Sequence, residues 1–130
     1  ASGRTARLRR LRAEARILVV DDEKDVAKGV RRLLETQRWL VDVAYDGAQA
    51  LRRAKRKTPD LVLLDYGLPD MDGLEVLDAL RSDPATEDVP VLLATARQLP
   101  LELLGRANGF LIKPFEGEIL FSLIRNLMSG

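Results

Sequence analysis

The chain reads RILVVDDE from Arg16 to Glu23, and this stretch decides the fold because a continuous aliphatic run ends in three acidic residues. Aliphatic runs without polar alternation are typical of strands that are covered on both faces. The acidic residues would then follow the carboxyl end of the strand. The stretch therefore predicts a buried strand of a parallel sheet, with carboxylates at the edge where such sheets bind ligands.

The same pattern recurs along the chain. Aliphatic runs occupy residues 16–21, 40–44, 60–65, 89–94 and 109–112. Helical spacing of apolar residues marks the intervening and final stretches, which are Val26 with Val30, Leu33 and Leu34, residues 47–55, Leu74 with Leu77 and Leu80, residues 98–106, and residues 119–127. Strands that alternate with helices predict an α/β fold, a doubly wound five-stranded parallel sheet with five helices.

Bulk composition excludes several classes of function. The 130 residues suit one domain with an aliphatic core, since 46% are hydrophobic and only 5% are aromatic. The absence of Cys and His excludes disulfides, thiolate catalysis and histidine-based catalysis or metal ligation. No apolar run approaches the ~20 residues of a membrane span, and none resembles a signal peptide. A cytoplasmic location without membrane contact is predicted.

The N-terminal residues differ in charge from the rest. Residues 1–16 contain six arginines and one glutamate, whereas the remaining residues hold 15 basic and 19 acidic side chains. We interpret residues 1–15 as a basic helical extension or linker, and residues 16–130 as the domain itself. No motif beyond charge supports direct binding of nucleic acid.

Polar side chains mark the carboxyl ends of four predicted strands. Asp21 and Asp22 follow the first, Asp65 ends the third, Thr95 ends the fourth and Lys113 follows the fifth. Taken singly, each also fits a plainer role, such as a helix cap or a strand end. Together they would form an oxygen-rich site that favours Mg²⁺ or Mn²⁺. A carboxylate nucleophile beside a metal, an ammonium and a hydroxyl can form an acyl phosphate.

These residues lie in motifs that resemble the receiver domain of bacterial response regulators. The motifs are Val19-Val20-Asp21-Asp22-Glu23, Asp65 with Leu68-Pro69-Asp70-Met71-Asp72-Gly73, Ala94-Thr95-Ala96, and Leu111-Ile112-Lys113-Pro114-Phe115. The resemblance extends over about residues 16–127 and includes the order of the motifs. It implies a flavodoxin-like sheet with strand order 2-1-3-4-5. It also implies a phosphorelay signalling domain of a two-component system, whose only chemistry is its own phosphorylation and dephosphorylation.

The resemblance assigns a role to each matching residue. Asp65 would accept a phosphoryl group from a histidine kinase or a histidine phosphotransfer protein. Asp22, Asp65 and the backbone carbonyl of Gly67 would bind Mg²⁺ or Mn²⁺, and Asp21 would support the metal, mainly through water. Lys113 would pair with the phosphoryl oxygens, and the peptide bond after it would be cis.

The resemblance also implies a switch. Thr95 would move toward the phosphorylated site while Phe110 turns inward, which alters the face formed by the fourth helix, fifth strand and fifth helix. That face would bind a downstream effector protein or domain, or a second copy of the chain in a homodimer. Gly67 and Arg97 flank the path of the attacking water, and we expect them to set the rate of autodephosphorylation.

Two other functions remain open. A pseudo-receiver, which binds partners without being phosphorylated, is the main alternative. It stays open because only 17 residues separate Thr95 from Lys113, fewer than the family commonly has, which shortens the fourth helix to about two and a half turns at most. A hydrolase or nucleotide-binding enzyme fits less well. Gly67 stands where phosphatases with a nucleophilic Asp carry a second acid, and no glycine-rich phosphate-binding motif occurs.

Overall fold

The computed structural model describes residues 15–129, so the predicted basic extension lies outside the described residues except for Ala15. Five parallel strands form one sheet, namely β1 (Arg16–Val20), β2 (Leu40–Ala44), β3 (Leu61–Asp65), β4 (Val91–Thr95) and β5 (Gly109–Ile112). The helices of this part of the chain are α1 (Lys24–Glu35), α2 (Gly47–Arg56), α3 (Gly73–Ser82), α4 (Leu101–Leu104) and α5 (Gly117–Ser129). The predicted α/β class is confirmed, and most boundaries differ by one or two residues.

The strand order β2-β1-β3-β4-β5 is the one that the resemblance implied. Strand β1 lies between β2 and β3, where Ile17 is paired with Val41 of β2 on one side and Leu61 of β3 on the other. The chain therefore winds outward in opposite directions from β1 and β3. A crevice opens at such a reversal, beyond the carboxyl ends of the two strands.

Two aliphatic layers cover the sheet. Val19 and Leu63 belong to the layer that packs against α1 and α5, whereas Val20 and Leu64 belong to the layer that packs against α2, α3 and α4. Successive side chains of a strand point to opposite faces. Because both faces are covered, the strands read as continuous aliphatic runs.

Helix α4 is short, as predicted. The sequence leaves room for a helix over residues 98–106, but only the four residues Leu101–Leu104 are helical. Pro100 is extended, and a residue before proline is biased away from the helical region. Leu104 is the one fully buried residue of α4, so little apolar burial stabilises a longer helix. None of the helices within residues 15–129 has the length and apolar character that crossing a membrane requires.

Candidate functional site

A cluster of three acidic side chains lies in the crevice between β1 and β3. Asp21 and Asp22 follow β1 directly, and Asp65 ends β3, whose Leu64 is paired with Val20. One carboxylate oxygen from each acid lies within 4.8 Å of the others. Asp21 is further oriented by the backbone N–H of Glu23, which donates to its Oδ1 at 3.0 Å. Parallel pairing of β1 with β3 therefore brings together acids that are 43 and 44 residues apart in sequence.

Lys113 brings a positive charge to this cluster. Its Nζ lies 3.2 Å from Asp21 Oδ2 and 3.2 Å from Asp65 Oδ1. The backbone of Lys113 is held at the end of β5, since its N–H donates to the carbonyl of Thr95 at 2.9 Å. The peptide bond between Lys113 and Pro114 is cis, as the resemblance implied.

The charges of the cluster perturb one another. Burial raises the pKa of Asp65, the attraction of Lys113 opposes this rise, and the negative charges of Asp21 and Asp22 add to it, so that the pKa lies above its usual value. Burial lowers the pKa of Lys113, but the charges of Asp65 and Asp21 outweigh it and the pKa is raised. The ammonium of Lys113 therefore does not offset the combined effect of burial and the two neighbouring acids on the pKa of Asp65.

The donor atoms of the cluster suit a hard divalent cation. They are all carboxylate oxygens, without sulfur or imidazole nitrogen, and Mg²⁺ and Mn²⁺ prefer such ligands. Gly67 lies two residues beyond Asp65 and lines a pocket of about 190 Å³ together with Asp65, Thr95 and Lys113. The residues present therefore fit a bound Mg²⁺ ion, which would add the positive charge that the cluster lacks.

Thr95 and Arg97 form another wall of the same pocket. Thr95 is buried, and its Oγ1 accepts a hydrogen bond from the backbone N–H of Arg97 at 3.0 Å. The Arg97 guanidinium lies over the ring of Tyr66, 5.9 Å from its centre. Sequence reasoning missed Tyr66. The signal was its place directly after Asp65, because β3 and β4 are neighbours and an aromatic residue there faces the loop that carries Arg97.

Comparison with known proteins identifies the family of this chain. A family model described as the response regulator receiver domain matches residues 17–125. The chain belongs to this family. It is therefore a receiver domain, which is a signalling domain, and the resemblance inferred from the motifs is confirmed.

The chain matches only a part of each of the following curated relatives. The response regulator MprA of Mycobacterium leprae (strain TN) is 41% identical over 117 residues, which cover 87% of this chain and 50% of that protein. The response regulator PleD of Caulobacter vibrioides (strain NA1000 / CB15N) is 40% identical over 119 residues, which cover 87% of this chain and 26% of that protein. The chain thus spans half or less of the length of these curated relatives.

Solved receiver domains share the fold. The receiver domain of the sensor histidine kinase PA1611 from Pseudomonas aeruginosa PAO1 matches with a TM-score of 0.83 and 28% identity, over 90% of this chain and 99% of that one. That structure holds a magnesium ion coordinated in its active-site cleft. The response regulator TrrA from Thermotoga maritima, in complex with Mg²⁺-BeF, matches with a TM-score of 0.80 and 30% identity, over 87% of this chain and 98% of that one.

Phe110 of this receiver domain lies on the edge strand β5, away from the acidic cluster. It is paired with Leu93 of β4, and 42% of its surface is exposed. Ile112, two residues later on the same face of β5, is 48% exposed. Helix α4 would cover this face, but its four residues leave both side chains partly in solvent.

The receiver domain also has a contact on Asp70 that sequence reasoning missed. Asp70 was placed in a motif from the sequence and was assigned no contact. Its carboxylate accepts hydrogen bonds from the backbone N–H groups of Gly47 at 2.8 Å and Ala48 at 2.9 Å. The loop that follows Asp65 is thereby joined to the start of α2.

Proposed function

We propose that Asp65 accepts a phosphoryl group from a histidine kinase or a histidine phosphotransfer protein, in a reaction that depends on Mg²⁺ or Mn²⁺. The observation that carries this proposal is the cluster in which the oxygens of Asp21, Asp22 and Asp65 lie within 4.8 Å of one another and Lys113 Nζ lies 3.2 Å from two of the acids. The chain has no histidine, so the phosphohistidine must belong to the donor.

The chemistry is a transfer from nitrogen to oxygen. A carboxylate oxygen of Asp65 attacks the phosphorus atom of the donor's phosphohistidine, and the P–N bond breaks. Its electron pair returns to the imidazole, which takes up a proton, and an acyl phosphate remains on Asp65. Lys113 holds its ammonium against the phosphoryl oxygens. Held by Asp22, Asp65 and the Gly67 carbonyl, with support from Asp21, the metal would supply further positive charge.

The acyl phosphate would act through its added charge of about −2. The hydroxyl of Thr95 leaves the backbone N–H of Arg97 and donates to a phosphoryl oxygen, while Phe110 turns inward from its exposed position. This change alters the face formed by α4, β5 and α5, which binds an effector protein or domain, or a second copy of the chain. We place the domain in the cytoplasm, and its lack of Cys is compatible with a reducing compartment.

Intact-mass spectrometry tests the proposal directly. The protein is incubated with Mg²⁺ and acetyl phosphate, and we expect the mass of one phosphoryl group to be added. Asp65→Asn, and the wild type in EDTA, should gain none. If the wild type gains no phosphoryl group and no Mg²⁺-beryllofluoride adduct forms, the pseudo-receiver is the better assignment, and the four-residue α4 then fits an altered partner face.

A further inference from the structure

The loop between β3 and α3, residues 66–72, is closed at its base. The backbone N–H of Gly73 donates to the carbonyl of Tyr66 at 2.7 Å, and Gly67 and Asp72 form an antiparallel bridge. These contacts make the loop a small hairpin that begins directly after Asp65. Gly67 therefore lies near the base of the hairpin, and Asp70 lies in its tip.

The tip of the hairpin is attached to α2. Asp70 Oδ1 accepts from the N–H of Gly47 and Oδ2 accepts from the N–H of Ala48, so each carboxylate oxygen has its own donor. The first N–H groups of a helix have no partner within the helix and attract negative charge. The hydrogen bonds from Gly47 and Ala48 lower the pKa of the Asp70 carboxyl, so the group is ionised at neutral pH.

The close approach of the hairpin to α2 depends on a glycine. A Cβ at position 47 would clash with the side chain of Met71, at its Cγ. Without a side chain there, Met71 packs onto the start of α2 beside the two hydrogen bonds of Asp70. Gly47 and Met71 therefore support the same contact as Asp70.

Gly67 has no side chain that could anchor it. It is exposed, and a Cβ built there would meet no atom within 4 Å. Its position is therefore set by the backbone contacts of the hairpin and by the hydrogen bonds that Asp70 accepts at the tip. If the backbone at Gly67 were free to move, metal binding would have to order it, and this would cost conformational entropy.

We propose that Asp70 is a positioning residue for the metal. By holding the tip of the hairpin on α2, it presets the Gly67 carbonyl for the ion that Asp22 and Asp65 bind. The inference rests on the proposed function, because it assigns a task in that metal site. If Asp70 served only as an additional cap of α2, its removal would lower stability and leave metal affinity unchanged.

Calorimetric titration of the full chain with Mg²⁺ tests the inference, together with the rate of phosphorylation by acetyl phosphate at increasing Mg²⁺. Asp70→Ala should weaken Mg²⁺ binding by about tenfold, the lower range for groups that orient metal ligands. Its maximal rate at saturating Mg²⁺ should stay near that of the wild type, because Asp65, Lys113 and Thr95 are unchanged. Asp70→Asn keeps one acceptor oxygen, and its affinity should be intermediate.

Asp46→Ala is the matched control. Asp46 caps the same helix, accepting from the N–H of Gln49 at 2.7 Å, and this hydrogen bond lies within the helix and not between the helix and the hairpin. It should destabilise the fold as Asp70→Ala does, with wild-type Mg²⁺ affinity. Equal affinity of all variants would overturn the inference, and if Asp70→Ala does not fold, Asp70→Asn decides. A wild type that neither binds Mg²⁺ nor accepts phosphate would instead defeat the proposed function.

Discussion

At the scale of single residues, Asp65 experiences opposing influences. Burial and the neighbouring acids favour its protonated form, whereas Lys113 favours the carboxylate, and the net effect is a raised pKa. An acid with a raised pKa in the folded state contributes stability below its ordinary pKa and loses that contribution as the pH rises through the folded-state value. Without metal, the ionised carboxylate of Asp65 therefore lowers the stability of the fold, although the proposed phosphoryl transfer requires that ionised form.

Asp65→Asn is therefore expected to be more stable than the wild type at pH 7 without metal. Asn does not titrate, so the difference in the free energy of unfolding should be small near pH 4 and should grow as the pH rises. Urea denaturation of both proteins in EDTA at several pH values measures this difference. A constant difference at all pH values would contradict the raised pKa of Asp65.

Arg97→Ala is expected to change the lifetime of the acyl phosphate. The guanidinium lies over Tyr66 at the wall of the pocket beside Asp65, where it would donate to the proposed acyl phosphate and restrict water. One lost hydrogen bond is worth ~1 kcal/mol, which corresponds to hydrolysis faster by less than about tenfold. The loss of phosphoryl group after removal of the donor gives the lifetime. Identical half-lives of Arg97→Ala and wild type would refute the role of Arg97.

Residues at strand ends could be predicted, because their place follows from the pattern of the strands alone. Asp21, Asp65 and Lys113 each stand at the end of an aliphatic run, and parallel strands end at one edge. The contact between Asp70 and Gly47 spans 23 residues and depends on the conformation of a loop. No periodicity of the sequence encodes such a contact, so the hydrogen bonds between Asp70 and the start of α2 were not predictable from the sequence.

At the scale of elements, α4 is the shortest helix of residues 15–129. Its four residues make barely one turn, and Leu101 at its start is 75% exposed. Isolated helices of this length are not stable, and elements with little burial open most easily. The sequence correctly predicted a short helix. Its exact length could not be predicted, because it depends on which leucines are buried in the fold, and only Leu104 of α4 is.

Backbone amides of residues 101–108 are expected to exchange with solvent faster than those of α1, α2, α3 and α5. If the output face responds to phosphorylation, their exchange should change when Mg²⁺ and beryllofluoride are added. Hydrogen exchange with mass spectrometry of the two states measures both effects. Protection equal to that of α3 in the free protein would contradict the assigned weakness of α4.

At the scale of the whole molecule, the sheet separates two apolar layers, and the acidic cluster lies at the edge where both layers end. Binding of a cation at this edge stabilises only the folded chain, because the acids come from distant parts of the sequence. Stability should therefore depend on metal concentration through mass action.

Mg²⁺ at 100 times its dissociation constant is expected to raise the free energy of unfolding by about 2.7 kcal/mol. Thermal unfolding at pH 7 measures the effect, and NaCl of equal ionic strength separates it from charge screening. Asp22→Asn, which removes an exposed carboxylate of the cluster, should lose most of the increase. An equal increase with NaCl alone would argue against a specific site.

The shortness of α4 has a consequence for protein engineering. All the acids of the cluster, and Lys113, are carried by the ends of β1, β3 and β5, and none lies on α4. The exposed positions of residues 98–106 can therefore be redesigned, for instance as part of a longer helix with a chosen recognition surface, while buried Leu104 stays in the core and the acidic cluster keeps its supports. In a synthetic signalling circuit, the proposed phosphoryl transfer to Asp65 would then control different effector proteins through one exchangeable segment.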